Sequence, residues 1–144
     1  MEPARVLVVA NRTAATPALI EAVRERAGRG PCAFTLLVPK VVHGLHRAVD
    51  AEDQASDESE ATLALAVPLL EEAAGGPVEG LVGDHEPLAA VQDALNTGHF
   101  DEVIISTLPA RVSRWLHLDL PRKVAGLGLP VTTVTAKGGA RTAA

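Results

Sequence analysis

The sequence is poor in aromatic residues and in cysteine, and each shortage excludes a class of protein. Tyrosine is absent, and the aromatic side chains are those of Phe34, Phe100 and Trp115. A surface that stacks single-stranded nucleic acid needs exposed aromatic rings, which argues against that function. Cys32 is the only cysteine. It excludes an intrachain disulfide and a cysteine-rich zinc site, and it is typical of a protein from a reducing cytoplasm.

Long apolar runs are also missing. No apolar stretch approaches the ~20 residues that span a bilayer, so we expect no membrane partner. The first residues lead directly into an apolar strand-like segment, and we therefore expect no signal peptide and a cytoplasmic location. The 144 residues are 47% apolar, and most of these are alanine, valine and leucine. Such a chain is long enough for one domain with a buried core.

Basic residues are missing from the middle of the chain. Residues 50–102 carry fourteen acidic side chains and no basic ones, whereas residues 1–49 carry seven basic and three acidic ones. Residues 103–144 carry six basic side chains and one acidic one. Acidic elements could pack against basic ones, or the two ends of the chain could form a face that attracts anions. The acidic middle would repel phosphates, so we expect no nucleic-acid partner.

Apolar segments of strand character alternate with segments of helical periodicity. The strand segments lie at residues 5–10, 33–38, 77–82, 102–106 and 131–135. This alternation predicts an α/β fold with a parallel sheet and right-handed crossovers. We expect a three-layer α/β/α sandwich, a five-stranded sheet of order 3-2-1-4-5 and four helical crossovers. One domain would cover residues 1–136, and residues 137–144 would form a disordered tail.

Several residues predict local features of the helices. Thr16 followed by Pro17 predicts the start of the first helix. Pro68 lies within the apolar stripe of the second helix, which we expect it to kink or split. Asp84, or the histidine after it, should cap the third helix, and Asp119 should cap a helix that restarts before the last strand.

A doubly wound sheet binds ligands beyond the carboxyl ends of its strands, where the first and fourth strands diverge. The loops there are polar and slightly cationic, and helix N-termini beside them favour anions. The candidate ligand-binding residues are Asn11, Arg12, Thr13, Lys40, Gly83, Asp84, Ser106, Thr107, Arg111, Ser113 and Arg114.

Motifs for catalysis and for metals are missing. The chain has no G-x-S-x-G, no G-x-x-x-x-G-K-[ST] and no G-x-G-x-x-G. No nucleophile with a positioned base is visible, so we expect no enzyme. Cys32 begins a strand, at the wrong end of the sheet for an active site. His43 and His46, with Asp50 and Asp53 nearby, are spaced too loosely for a metal site, and we expect them to be solvated loop residues.

Five segments together resemble the universal stress protein family, whose fold belongs to the adenine-nucleotide α-hydrolase-like group. The resemblance covers the whole chain in outline. It rests on VLVVANRTAATPALIEAV at residues 6–23, Gly83-Asp84, DEVIIST at residues 101–107, Val112-Ser113-Arg114-Trp115 and Leu129-Pro130-Val131.

Nucleotide-binding members of this family carry G-x-x-G, nine residues and G-[ST] after the fourth strand, where glycines let backbone amides approach phosphates. Here Ser106 and Pro109 replace the first two glycines, and the last pair falls on Leu118-Asp119, one residue short. Asn11 replaces the acidic residue after the first strand. The resemblance therefore implies a divergent member in which ATP binding in the family manner is disfavoured, and Asp119 would put a carboxylate near the phosphates.

Two functions remain open at this point. The first is a non-enzymatic, universal-stress-protein-like homodimer without ATP binding or any cofactor, paired through the edge strand at residues 131–135, as the resemblance implies. The second is a module that binds a small molecule or an adenine nucleotide through the loops after the first and fourth strands. A flavodoxin-like or response-regulator fold is the structural alternative, but the chain lacks the paired acidic residues that a receiver needs.

Overall fold

A computed structural model describes residues 3–40, 51–109 and 111–136 of the chain, with backbone alone at 51–57. The expected tail at 137–144 and the loop with His43 and His46 lie outside these residues. The elements are β1 Ala4–Val9, α1 Pro17–Gly28, β2 Cys32–Pro39, α2 Ala51–Ala74, β3 Val78–Gly83, α3 Pro87–Thr97, β4 Glu102–Thr107, α4 Arg114–His117, α5 Leu120–Ala125 and β5 Val131–Thr135.

The five strands form one parallel sheet of order β3-β2-β1-β4-β5, which confirms the predicted topology. Helices α1 and α2 cover one face of the sheet, and α3 and α5 cover the other. The fourth crossover consists of the two short helices α4 and α5. No helix in the described part of the chain is both long and apolar enough to cross a membrane.

Each central strand sends alternate side chains into two separate core layers. In β1, Val6 and Val8 pack towards α1 and α2, while Leu7 and Val9 pack towards α3 and α5. All four are at most 1% exposed. Because side chains alternate across a strand, a continuous apolar run of this kind requires helices on both faces.

The second helix does not split at its proline. Helix α2 is continuous over 24 residues and contains Pro68, so the expectation of a split was wrong. The side chain of Pro68 is exposed. A proline ring on the outward side of a helix removes one backbone hydrogen bond and leaves the buried packing of Ala66 and Leu70 intact.

The predicted cap of α3 was wrong, and the predicted cap of α5 was confirmed in its position alone. The cap position of α3 is Glu86, and Asp84 instead accepts a hydrogen bond from the Glu86 amide at 2.9 Å. Asp119 does precede α5, but its backbone is left-handed with φ 59°, and its carboxylate makes no capping bond. It lies 3.4 Å from the guanidinium of Arg122. Thr16 and Pro17 begin α1 as predicted.

One partly buried ion pair ties α1 to the start of β4. The guanidinium of Arg26 lies 2.7 Å and 2.8 Å, through two of its nitrogens, from one carboxylate oxygen of Glu102. The hydrogen bond to Glu102 raises the pKa of Arg26, and burial opposes this. The pair holds α1 against β4, which lies between β1 and the edge strand β5.

Gly83 at the end of β3 allows α3 to approach the sheet closely. A Cβ atom at this position would lie 2.8 Å from both the Ala90 Cβ and a methyl of Leu37. Gly83→Ala should therefore destabilise the fold by about 1–3 kcal/mol, as overpacking does in a dense core. Urea unfolding followed by circular dichroism measures this free energy.

Gly28→Ala is the matched control, because a Cβ at the last residue of α1 would meet no atom within 4 Å. Alanine is favoured over glycine in a helix by up to about 1 kcal/mol, so this variant should be as stable as the parent or more stable. Equal stability of the two alanine variants would show that Gly83 is not needed for packing.

Candidate functional site

A buried pair of hydroxyl groups joins the loop after β1 to the end of β4. Thr13 and Ser106 are 4% and 1% exposed, and their hydroxyl oxygens lie 2.6 Å apart. The loop that carries Thr13 is itself pinned by two turns, since the Ala14 and Thr16 amides bond to carbonyls three residues earlier. The two loops that diverge at the centre of the sheet are thus held together at their base.

Thr107 extends towards the opposite face of the sheet from Ser106. Along β4, Ile105 packs with α3 and α5, and alternation places Thr107 on the same side. Thr107 is 2% exposed. Its hydroxyl is the one buried side-chain polar atom without a hydrogen-bond partner among the described residues. Leaving such a group unsatisfied costs about 1–3 kcal/mol.

Helix α4 is positioned by Ser113. The Ser113 hydroxyl accepts a hydrogen bond from the Leu116 amide at 3.1 Å and caps the helix. The side chain is 2% exposed, so it also anchors the helix to the body of the protein. This capping bond sets the positions of Arg114 and Trp115, and Trp115 packs partly against the α3 and α5 core layer.

These loops surround a cleft of about 620 Å³ at the carboxyl ends of the strands. This volume is within the range of small-molecule sites. Its lining consists of Asn11, Arg12, Thr13, Lys40, His85, Glu86, Pro87, Ser106, Thr107, Leu108, Val112, Ser113, Arg114 and Trp115.

The lining combines a cationic side with an apolar side. Arg12, Lys40 and Arg114 supply three basic groups, against one carboxylate from Glu86. The apolar side is formed largely by Leu108, Val112 and Trp115, and the first two are 39% and 58% exposed. Such a site suits a ligand with one flat apolar part and one anionic part.

Most of the residues predicted from the sequence lie together in this cleft. Eight of them form part of the lining: Asn11, Arg12, Thr13, Lys40, Ser106, Thr107, Ser113 and Arg114. Gly83, Asp84 and Arg111 lie outside the lining. Gly83 instead allows close packing of α3, and Asp84 bonds to the backbone before α3.

The sequence did not lead us to predict the lining residues at the start of α3 or those on the apolar side of the cleft. His85, Glu86 and Pro87 follow the Gly83-Asp84 pair directly, so the same loop argument would have reached them. Leu108 and Val112 are apolar residues within a loop. Apolar residues in a loop that follows a buried strand were the signal that could have predicted this side of the cleft.

Asp119 does not lie in the lining of the cleft. Its carboxylate is near Arg122, with 53% of the side chain exposed. The expectation that it places a negative charge in the phosphate position was therefore wrong. The left-handed backbone at Asp119 turns the chain between α4 and α5 and carries the side chain outwards.

The loop after β4 contains no glycine and offers few amide donors. Pro109 has no N–H. The Val112 amide bonds to the Pro109 carbonyl at 2.9 Å, and the Leu116 amide is held by Ser113. Among the described residues, this loop differs from a glycine-rich phosphate cradle, in which successive amides face the ligand.

The described side chains offer little support for metal binding or for thiol chemistry. No group of three potential metal-ligating side chains occurs among the described residues. Cys32 lies at the start of β2, at the opposite end of the sheet from the cleft. Burial raises the pKa of its thiol, which keeps it in the less nucleophilic protonated form.

Solved structures with the same architecture identify the fold. A universal stress protein in complex with cAMP superposes with a TM-score of 0.60 at 15% identity, over 94% of this chain and 100% of that one. One from Archaeoglobus fulgidus in complex with dAMP gives 0.60 at 17%, over 92% and 98%. The chain has the universal-stress-protein fold.

A universal stress protein family protein from Arabidopsis thaliana with AMP bound superposes with a TM-score of 0.58 at 14% identity, over 94% of each chain. No protein-family model matches the chain, and no curated protein matches its sequence. The likeness to universal stress proteins is therefore one of fold, carried by topology and core packing.

The hydroxyl pair at the base of the cleft yields a prediction for stability. Thr13→Val or Ser106→Ala alone leaves one buried hydroxyl without its partner and should cost about 1–3 kcal/mol. The double variant removes both polar groups, so its loss should be smaller than the sum of the single losses by about 1 kcal/mol. Urea unfolding of the four proteins measures this coupling.

Gln92→Ala on the exposed side of α3 is the control, and combining it with Ser106→Ala should give additive changes in stability. Additive losses for Thr13→Val and Ser106→Ala as well would contradict a direct hydrogen bond between the two loops.

Proposed function

We propose that this chain is a non-enzymatic binding module that holds an adenine mononucleotide in the cleft between the loops after β1 and β4. The observation that carries the proposal is the buried hydroxyl of Thr107, a residue of the cleft lining, because this hydroxyl has no hydrogen-bond partner in the part of the chain that the structure describes. A buried polar group is normally satisfied. A ligand that donates or accepts a hydrogen bond at this position would remove the penalty.

The two sides of the cleft support a ligand of this class. A purine ring can pack against Trp115 and the apolar side chains of Leu108 and Val112. A phosphate can be held by Arg12 and Arg114, since guanidinium groups bind phosphate oxygens through paired donors. The three solved neighbours described above have cAMP, dAMP and AMP as their bound molecules, and each carries one phosphate.

A triphosphate fits the loop after β4 less well than a monophosphate. Binding several phosphates through backbone amides requires glycines that allow close approach, and this chain has Ser106 and Pro109 in their place. We therefore propose that ATP binding in the manner of the family has been lost. Asp119 does not contribute to this loss, because its carboxylate lies outside the lining of the cleft, beside Arg122.

The described cleft also lacks the arrangement that covalent catalysis needs. The Ser106 hydroxyl is bonded to Thr13, and neither a histidine nor a carboxylate contacts it among the described hydrogen bonds. A nucleophile without a base is unreactive at neutral pH. The proposal is therefore a receptor that responds to its ligand by binding alone.

Thr107→Val tests the proposal, because it replaces the buried hydroxyl by a methyl group of the same shape. Without ligand, the valine variant should be as stable as the parent, or more stable by up to about 1 kcal/mol, since an unsatisfied group is removed. Its affinity for AMP should fall by about 3- to 10-fold, as expected for one hydrogen bond. Thermal unfolding and titration calorimetry measure the two quantities.

Arg114→Ala and Arg111→Ala form a matched pair, since both arginines are exposed but only Arg114 lines the cleft. Arg114→Ala should weaken AMP binding by about 10-fold, and Arg111→Ala should leave it unchanged within about twofold. Adenosine should bind more weakly than AMP, and ATP no more tightly. Absence of binding heat with all three compounds would refute the proposal.

We further propose that the protein is a homodimer paired through β5. This strand forms one edge of the sheet, and Thr132, Thr133 and Thr135 on it are exposed. Unpaired backbone groups on an edge strand are a template for association. The described part of β5 carries no charged side chain that would oppose pairing.

Thr133→Lys should convert the dimer to a monomer, because a lysine at the centre of an edge strand opposes strand pairing. Sedimentation velocity at micromolar concentration measures the change. Thr97→Lys on α3 serves as the control and should remain dimeric. A parent protein that is monomeric under these conditions would refute the dimer and leave the ligand proposal standing.

A further inference from the structure

Helix α2 has a second apolar face that packs against nothing in the described structure. Its buried stripe contains Ala66 and Leu70, which pack onto the sheet. A separate stripe on the outward side is exposed and consists of Ala61, Ala64, Leu65, Pro68 and Leu69. These positions follow the spacing i, i+3, i+4, i+7, i+8, so they form one continuous patch about 12 Å long.

The two leucines of this patch are exposed to solvent. Leu65 and Leu69 are 64% and 37% exposed. Isolated apolar residues on a surface are normal, but a patterned apolar face on a helix that already has a buried face indicates a contact surface. Pro68 also leaves a polar group near the patch. It has no N–H, so the Ala64 carbonyl one turn earlier lacks its usual helical hydrogen bond.

Helix α2, which carries the patch, is strongly acidic in sequence. Helix α2 has no basic residue, and its acidic residues are Glu52, Asp53, Asp57, Glu58, Glu60, Glu71 and Glu72. Glu72 lies seven positions after Leu65, on the same line of the helix surface. A partner for this face must therefore combine an apolar ridge with positive charge around it.

We propose that the outward face of α2 is a docking surface for a basic amphipathic helix of a partner protein. Proteins commonly bind an amphipathic helix through its apolar residues at positions i, i+4 and i+7. The charge argues against the other occupants: a second copy would oppose two acidic helices, and anionic lipid or nucleic acid would be repelled.

A synthetic peptide tests this surface without the need to know the natural partner. The probe is a labelled peptide of about 18 residues, long enough to form a helix on binding, with leucines at helical spacing and lysines elsewhere. One matched peptide replaces its lysines by glutamates, and another replaces its leucines by serines. Fluorescence anisotropy with the full chain measures binding.

The leucine–lysine peptide should bind with a dissociation constant in the micromolar range, and both matched peptides should bind at least about 10-fold more weakly. Raising the salt concentration from about 50 mM to about 500 mM should weaken binding, because the charges are exposed and screened.

Leu65→Gln combined with Leu69→Gln should weaken binding of the leucine–lysine peptide by at least about 10-fold. Leu127→Gln is the control: this leucine is 40% exposed and lies after α5. It should change the affinity by less than about twofold. Leu65→Lys alone, at the more exposed of the two positions, should weaken binding by repulsion of the lysines, and it provides a second variant if the double one unfolds.

Equal binding by the parent and the α2 variants would overturn the proposal, since the peptide would then be held by general acidity. Self-association of the parent that Leu65→Lys abolishes would also overturn it and would identify the face as a contact between two copies. Neither result bears on nucleotide binding in the cleft, which lies at the carboxyl ends of the strands.

Discussion

The burial of β1 on both faces is the constraint on which the rest of the structure depends. Val6 and Val8 require one layer of helices and Leu7 and Val9 require another. A parallel strand buried in this way needs neighbours on both sides, which are β2 and β4. Since the chain leaves β1 and β4 towards opposite faces, their loops diverge and open a cleft at that point.

The same geometry places buried hydroxyl groups at the base of the cleft. Ser106 is the last residue of β4 on one face of the sheet, and its hydroxyl bonds to Thr13. Thr107 is the last residue on the other face, and its buried hydroxyl has no hydrogen-bond partner among the described residues. One hydroxyl thus closes the base of the cleft, and its neighbour belongs to the lining. Neither role depends on glycines in the following loop, so the cleft at this position does not require a glycine-rich loop.

Helix α2 shows how a single element can serve two surfaces. Its buried stripe packs onto the sheet as part of the core. Its outward stripe of alanine, leucine and proline is exposed and does not contribute to the core of the described structure. An outward proline costs the helix one hydrogen bond and a pair of exposed leucines costs solubility. The proline and the two leucines lie on the same face of the helix, and the contact that we propose there would explain both.

Part of this structure was readable from the sequence because it depends on local patterns. Continuous apolar runs predicted β1, β2 and β4, since such runs require burial on both faces, and the alternation of strand and helical segments predicted the parallel sheet. Most of the cleft lining followed from the same reasoning, because parallel strands bring their carboxyl ends to one edge.

Tertiary structure decided what depends on direction in space. The pattern of residues around Asp119 suggested a cap and a charge near phosphate, but a left-handed backbone carries this side chain to the surface beside Arg122. The outward position of Pro68 allowed α2 to continue, and close packing of α3 explains Gly83. Periodicity determined which residues are buried, whereas the orientation of each loop relative to the sheet determined which polar groups meet, because that orientation arises from contacts between distant segments.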